Sequence, residues 1–213
     1  MLTEFRTVAR ASRVKIPVGL CRFISSVEPA SSEDEARAFI SRVSREFADA
    51  THNVWAYRIG TGTQAIFRYS DDGEPAQTAG PPTLAAIDHR DLTDVVVVGT
   101  RYFGGVKLGV GGLIRAYRQC ADAGLAEAGC ITKVITMPVV IRCGYDHLGT
   151  IMNELESLKG KIERIDYDVH VTVTARVRPV DLPQLEGRVT DITRGTGMVL
   201  RQPARSSPQP DEE

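Results

Sequence analysis

From residue 169 to 177, apolar and polar side chains alternate without a break. Val169, Val171, Val173, Ala175 and Val177 stand against His170, Thr172, Thr174 and Arg176. Successive side chains of a strand point to opposite faces, so this pattern describes a strand with one face buried and one in water. What flanks it narrows the fold. Upstream, Leu148, Ile151, Met152, Leu155 and Leu158 share one helix face behind Asp146, a candidate N-cap, and Lys161–Tyr167 reads as a short strand. Downstream, Leu182, Leu185, Val189 and Ile192 give a second helix behind Asp181, and 197–201 a last strand. The segment 134–143 supplies the first strand, at an edge or bulged because Pro138 lacks an N–H. The order over 133–201 is therefore β-α-β-β-α-β, the split βαβ or ferredoxin-like pattern. Residues 202–213, with Pro, Ser and an acidic end, read as a disordered tail.

The segment 1–132 reads as a separate α/β domain, joined to the next near 131–135. Strands are predicted near 4–9, 13–18 and 20–27. Ser32 followed by Glu35 is a capping-box signature, and Ala36, Phe39, Ile40, Val43 and Phe47 recur at helical spacing, so a helix is predicted over 32–48. Trp55, Tyr57 and Ile59 then alternate with Val54, Ala56 and Arg58. Gly60-Thr61-Gly62-Thr63 turns the chain into a second strand over 64–69, which makes a hairpin. A helix at 78–89 and a buried strand at 95–98 follow. The glycine-rich connection 104–112 leads into a long helix striped by Val110, Leu113, Ile114, Tyr117, Ala121, Leu125 and Ala128 and ended by Gly129.

Composition excludes several classes. A chain of 213 residues that is 42% hydrophobic and 25% charged, with a net charge of −1, has the makings of a core and no global attraction to nucleic acid or an anionic membrane. The longest apolar runs, 95–98 and 134–141, fall far short of the roughly 20 residues of a membrane span, and nothing resembles a signal peptide. Cys21, Cys120, Cys130 and Cys143 show no C-x-x-C spacing, so reduced thiols in a cytoplasm are expected. Locally the balance breaks. From 95 to 121 there is no acid against Arg101, Lys107, Arg115 and Arg118.

Two segments can carry chemistry. The run 101–112 holds Gly104, Gly105, Gly109, Gly111 and Gly112 between a strand and a helix, where backbone N–H groups and the helix dipole suit an anion. The alternative is a tight connection that packs the helix closely on its sheet. The run is neither a P-loop, since Val110-Gly111 follows Gly109 where Lys and Ser or Thr are needed, nor a dinucleotide fingerprint, since Ile114 stands at the third glycine. The second segment, Ser70-Asp71-Asp72-Gly73-Glu74-Pro75, clusters three carboxylates suited to acid–base work or a hard cation, but the same residues build ordinary exposed turns. His52 is either a general base beside that turn or a hydrogen-bonded cap. Tyr102 and Phe103, like Trp55 and Tyr57, either stack bases or fill a core. No nucleophile–base set and no metal cluster can be assembled from spacing.

Together these segments resemble the IMPACT/YigZ family. The resemblance rests on Arg22-Phe23-Ile24, Ala50-Thr51-His52, the acidic turn with Thr78-Ala79-Gly80 behind it, and above all 101–109 continuing to Gly111-Gly112-Leu113 and Arg115-Ala116-Tyr117. It covers about 15–125, and 133–201 is similar to the second domain of bacterial members. Val54 stands where the family often has Cys, and Pro81 where it usually has a basic residue. The resemblance implies an α+β protein of two domains, an N-terminal α/β sandwich similar to domain IV of elongation factor G and a ferredoxin-like domain similar to its domain V. Eukaryotic relatives regulate translation under amino-acid starvation by competing for a ribosome-associated activator of a kinase.

The expectation is a non-enzymatic, translation-associated factor that needs no cofactor or metal. It would bind RNA, the ribosome or a ribosome-associated protein. Arg101, Lys107, Arg115 and Arg118 would meet phosphates together with the glycine amides. The alternative is a hydrolase or metal-dependent enzyme in which Asp71, Asp72, Glu74 and His52 meet Arg101 and Lys107. A third reading is a protein-docking module whose binding ignores salt.

Overall fold

A computed structural model describes residues 3–201; the tail predicted at 202–213 lies outside the described residues. The chain divides into two compact units, one over Phe5–Lys133 and the other from Val134 onward together with the N-terminal residues through Glu4, so that the strands Glu4–Val8 and Cys130–Val134 each reach the boundary. The first runs β1 (Glu4–Val8), β2 (Ser12–Val18), β3 (Cys21–Pro29), α1 (Glu33–Glu46), β4 (His52–Ile59), β5 (Ile66–Ser70), α2 (Gly80–His89), β6 (Val95–Tyr102), α3 (Gly109–Ala128) and β7 (Cys130–Val134). The second holds β8 (Met137–Cys143), α4 (Leu148–Ser157), β9 (Lys161–Tyr167), β10 (Val171–Val177), α5 (Leu182–Thr193) and β11 (Met198–Arg201).

In the first unit β6 is the central strand of a five-stranded sheet ordered β2-β3-β6-β4-β5. Its valines need cover on both faces, which two layers supply. Val96 and Val98 meet α1 through Ala36, Phe39 and Val43. Val95 and Val97 meet α2 and α3 through Leu84, Ile87, Ala121 and Leu125. Both neighbours of β6 run antiparallel to it, and Arg101 sits in one cross-strand row with Phe23 of β3 and His52 of β4. That row is set by register alone, and it prepares the site. The N-cap of α1 forms as the sequence predicts, with the Ser32 hydroxyl accepting from the Glu35 N–H.

The second unit has sheet order β11-β8-β10-β9, all antiparallel, with α4 and α5 packed on one face through Ile151, Leu155, Leu185 and Val189. This is the ferredoxin-like arrangement.

Four local expectations differ. The strand predicted at 134–143 begins only at Met137, as β8; Val134 is the last residue of a separate strand, β7, which pairs with β1. Pro138 lies in an inner strand, opposite Arg176 of β10, and not at an edge. Val169 is 80% exposed in the β9–β10 turn, so the alternation becomes a strand only from Val171. Asp146 does not cap α4, whose first residue follows a 3-10 turn, Tyr145–His147.

Helix α3 approaches β3 through bare backbone. A Cβ on Gly124 would lie 2.1 Å from the Ser25 hydroxyl and 2.8 Å from Val27 Cγ2. The Gly124 carbonyl also accepts a hydrogen bond from Ser12 at 2.8 Å. Gly124→Ala therefore overpacks the seam, and a loss of about 1–3 kcal/mol is expected, read as a lower urea midpoint at unchanged slope.

Candidate functional site

The acidic turn is held by its own carboxylates. Asp71 accepts three backbone N–H groups, from Gln77 at 2.8 Å, Ala79 at 2.9 Å and Gly80 at 2.8 Å, and so closes the N-terminus of α2. The Asp72 carboxylate accepts the Asn53 N–H of β4, and its carbonyl accepts the ring Nδ1–H of His52 at 2.6 Å. Because a carbonyl only accepts, His52 Nδ1 carries the proton and Nε2 faces Glu74 Oε2 at 3.9 Å. Of the two readings of Asp71 and Asp72, the geometry matches the turn-building one: both carboxylates accept from backbone amides. Among the described residues no group of three His, Cys, Asp or Glu is placed to hold a metal ion.

Glu74 is delivered by this turn into the interior, where it is 8% exposed. Its Oε1 accepts from Arg101 at 2.7 Å and from the Tyr117 hydroxyl at 2.8 Å. Arg101, 5% exposed, also donates to Cys21 Sγ at 3.5 Å. Its guanidinium carbon lies 5.9 Å from the Phe23 ring centre and 5.5 Å from that of Phe103, and its Nε has no partner. Burial opposes the Arg101 charge, but the bonds to Cys21 and Glu74 outweigh it and raise its pKa. Burial, then the charge and hydrogen bond of Glu74, push the Tyr117 phenol far above its ordinary range, so it remains a donor. The ring of Tyr117 stands edge-on to Phe23 at 5.2 Å. Arg101 is therefore not the surface phosphate contact the sequence suggests. It is the buried partner of Glu74.

Thr51 ties this hub to the glycine-rich segment. Its N–H donates to the Arg101 carbonyl at 2.9 Å and its hydroxyl accepts the Phe103 N–H at 3.0 Å. Tyr102 is likewise committed, with its hydroxyl on Asp49 at 2.8 Å and its ring 4.2 Å beneath the Arg22 guanidinium. At Gly104 a Cβ would lie 2.0 Å from the Leu20 carbonyl oxygen, so this glycine serves the close approach of the β2–β3 turn. Gly105 stands exposed at φ +88°, while Gly109, Gly111 and Gly112 belong to the first turn of α3 rather than to a loop. That turn has no side-chain cap and no acid.

Of the four cations expected to face a ligand, two stand in water without a carboxylate partner among the described residues. Arg118 pairs with Asp122 at 3.2 Å, an acid one position past the acid-free stretch, which also binds Arg90. Lys107 and Arg115 are exposed, and among the described residues neither pairs with a carboxylate. Around the segment lie exposed apolar side chains: Leu20 at 73%, Val106 and Val110 near it, Phe103 and Ile114. Leu20, Val106 and Tyr117 were not singled out as site residues from spacing. Leu20 comes in only through the fold, and Tyr117 shows only as one more apolar-stripe position.

Removing one member of the buried pair strands the other. Glu74→Gln and Arg101→Ala should each cost about 3–5 kcal/mol in urea unfolding, while the double variant costs clearly less than their sum. Alkaline pH gives a second check. Burial pushes the Cys120 thiol from 9.0 up to about 12. Above about 9 the unfolded chain releases that proton and the folded chain does not, so stability falls as pH rises from 9 toward 12. Cys120→Ala should flatten that slope in urea midpoints taken across the window.

Residues 20–125 match the Impact N-terminal domain and residues 141–196 the Domain of unknown function (DUF1949). The chain is 36% identical over 195 residues to the IMPACT family member YvyE of Bacillus subtilis, covering 92% of this chain and 89% of that one. It is 39% identical over 176 residues to an IMPACT family member of Thermus thermophilus, covering 82% and 94%. A crystal structure described as a hypothetical protein superposes with a TM-score of 0.70 at 28% identity, over 96% of this chain and all of that one. With both domain matches in chain order and these relatives aligned over nearly their whole length, the chain belongs to the IMPACT family.

Proposed function

We propose that the chain is a cytoplasmic, translation-associated regulator that binds RNA, the ribosome or a ribosome-associated protein through the segment from Phe103 to Arg115. One observation carries this reading: exposed Phe103, Val106, Val110 and Ile114 alternate along the chain with exposed Lys107 and Arg115 at a helix start without an acid, beside the β2–β3 turn that exposes Leu20. Exposed apolar side chains gathered with unpaired cations mark an interaction surface. The uncapped N–H groups of α3 add fixed positive charge. Beneath it the Glu74–Arg101 pair and the Thr51 bonds hold the strand end from which the segment departs. Family membership supports the association with translation.

Two free cations set a modest electrostatic share. Neutralising about two phosphates gives a salt slope near −1.5 on logarithmic axes, so about tenfold weaker binding between 50 and 200 mM salt. Tagged protein retrieved from lysate should therefore hold ribosomal RNA or ribosomal proteins at low salt and release them as salt rises. Lys107→Ala and Arg115→Ala should each weaken capture and reduce the slope by roughly one cation, without changing the urea midpoint. Val110→Asp should abolish capture. Retention that survives all three substitutions would remove the segment from the interface, and capture lost with Val110→Asp yet insensitive to salt would identify a protein-docking module instead.

A further inference from the structure

On the α1 face of the first unit, a recess of about 350 Å³ is lined by Arg37, Ile40 and Ser41 of α1, Trp55 and Tyr57 of β4, and Arg68 of β5. Arg37, Ile40 and Ser41 fall on one side of α1 by helical spacing, and Arg68 is the cross-strand partner of Tyr57. Tyr57 is buried, and its hydroxyl donates to the Glu33 carboxylate, so its ring cannot turn freely. The indole of Trp55 lies against that ring, with centroids 5.7 Å apart and planes 8° from parallel. The buried Tyr57 ring backs Trp55 on one side, and the partly exposed indole is the aromatic surface that the recess presents.

The rim of the recess is cationic. No acid lines it. The Arg37 side chain is 69% exposed and stands 3.7 Å from Glu33, a long contact that leaves most of its donors open. Arg68 donates to the carbonyl of Phe67 at 3.1 Å and, among the described residues, pairs with no carboxylate. An apolar aromatic floor with guanidinium groups at its edge complements a planar base that carries a phosphate. The volume lies within the range of pockets that take small ligands, about 300–1,000 Å³.

We propose that this recess receives one unpaired nucleotide of a single-stranded RNA, the base on Trp55 and the phosphate between Arg37 and Arg68. The assignment rests on the function proposed above only for the source of the nucleotide. The site itself is separate, because Trp55 is three residues along β4 from His52, about 10 Å, and its side chain lies on the opposite face of the sheet.

Trp55 is the single tryptophan of the chain, so its fluorescence reports on the recess directly. The intact protein is titrated with an adenylate hexaribonucleotide, with adenosine monophosphate and with inorganic phosphate. Saturable quenching is expected with the hexanucleotide, at least about fivefold weaker binding with the mononucleotide, and none with phosphate. Arg68→Ala should raise the Kd for the hexanucleotide at least about fivefold. A Trp55→Leu variant, verified by circular dichroism, should lose the calorimetric signal. Absence of saturable quenching, or equal affinity with and without Arg68, would overturn the site. Equal affinity for the mononucleotide would overturn RNA as the source. Quenching that persists while the loop variants leave capture from lysate intact would leave this site standing and the loop interface fallen.

Discussion

The interior of the first unit is organised by one ion pair. Glu74 and Arg101 meet at 2.7 Å where both are nearly sealed from water. Two charges cannot be buried there singly, and a pair is tolerated only when further hydrogen bonds occupy its remaining atoms. Tyr117 and Cys21 do so for one donor or acceptor each, from α3 and from β3. The pair thus ties together the acidic turn, the central strand, the long helix and the neighbouring strand.

This burial changes how the motifs divide their work. The acidic turn and the glycine-rich segment are both prominent in sequence, and both read as surfaces that meet a ligand. In the fold the turn spends Asp71 on the start of α2 and Asp72 on β4, and sends Glu74 inward. The glycine-rich segment loses Arg101 to the interior and Gly104 to contact with the Leu20 backbone. What remains outside is smaller and more apolar than a phosphate clamp: two cations, a bare helix start and a collar of exposed aliphatic and aromatic side chains. A surface of that kind binds through desolvation with charge as guidance, not through charge alone.

Much of the secondary structure was legible because hydrophobic period is a local property. The Ser32 cap, the Lys161–Tyr167 strand and the α5 stripe of Leu182, Leu185 and Val189 appear where the spacing puts them. The misreadings occurred where a local pattern met a non-local constraint. Val169 continues the alternation of β10 yet finds no strand opposite, so it turns out into solvent. Pro138 reads as the mark of an edge or bulged strand, yet it occupies an inner strand opposite Arg176 of β10. Residues 134–143 look continuous, but Val134 ends the strand paired with β1 and the chain enters the other sheet only at Met137, a change that no local propensity marks.

The amino-acid sequence by itself determined the two-unit α+β architecture, the ferredoxin-like order of the second unit and the set of motifs that place the chain in its family. Each of these follows from residues near one another in the chain. Only the tertiary structure decided which charges stay outside. Arg101 and Lys107 are six positions apart in the same basic run, yet one is sealed against Glu74 and the other faces water. The difference arises from cross-strand register, which sets Arg101 between Phe23 and His52, and from a turn 27 residues earlier in the chain that brings it a carboxylate. Register and long-range closure are properties of the assembled sheet, so a charge pattern read along the chain cannot separate a buried partner from a free one.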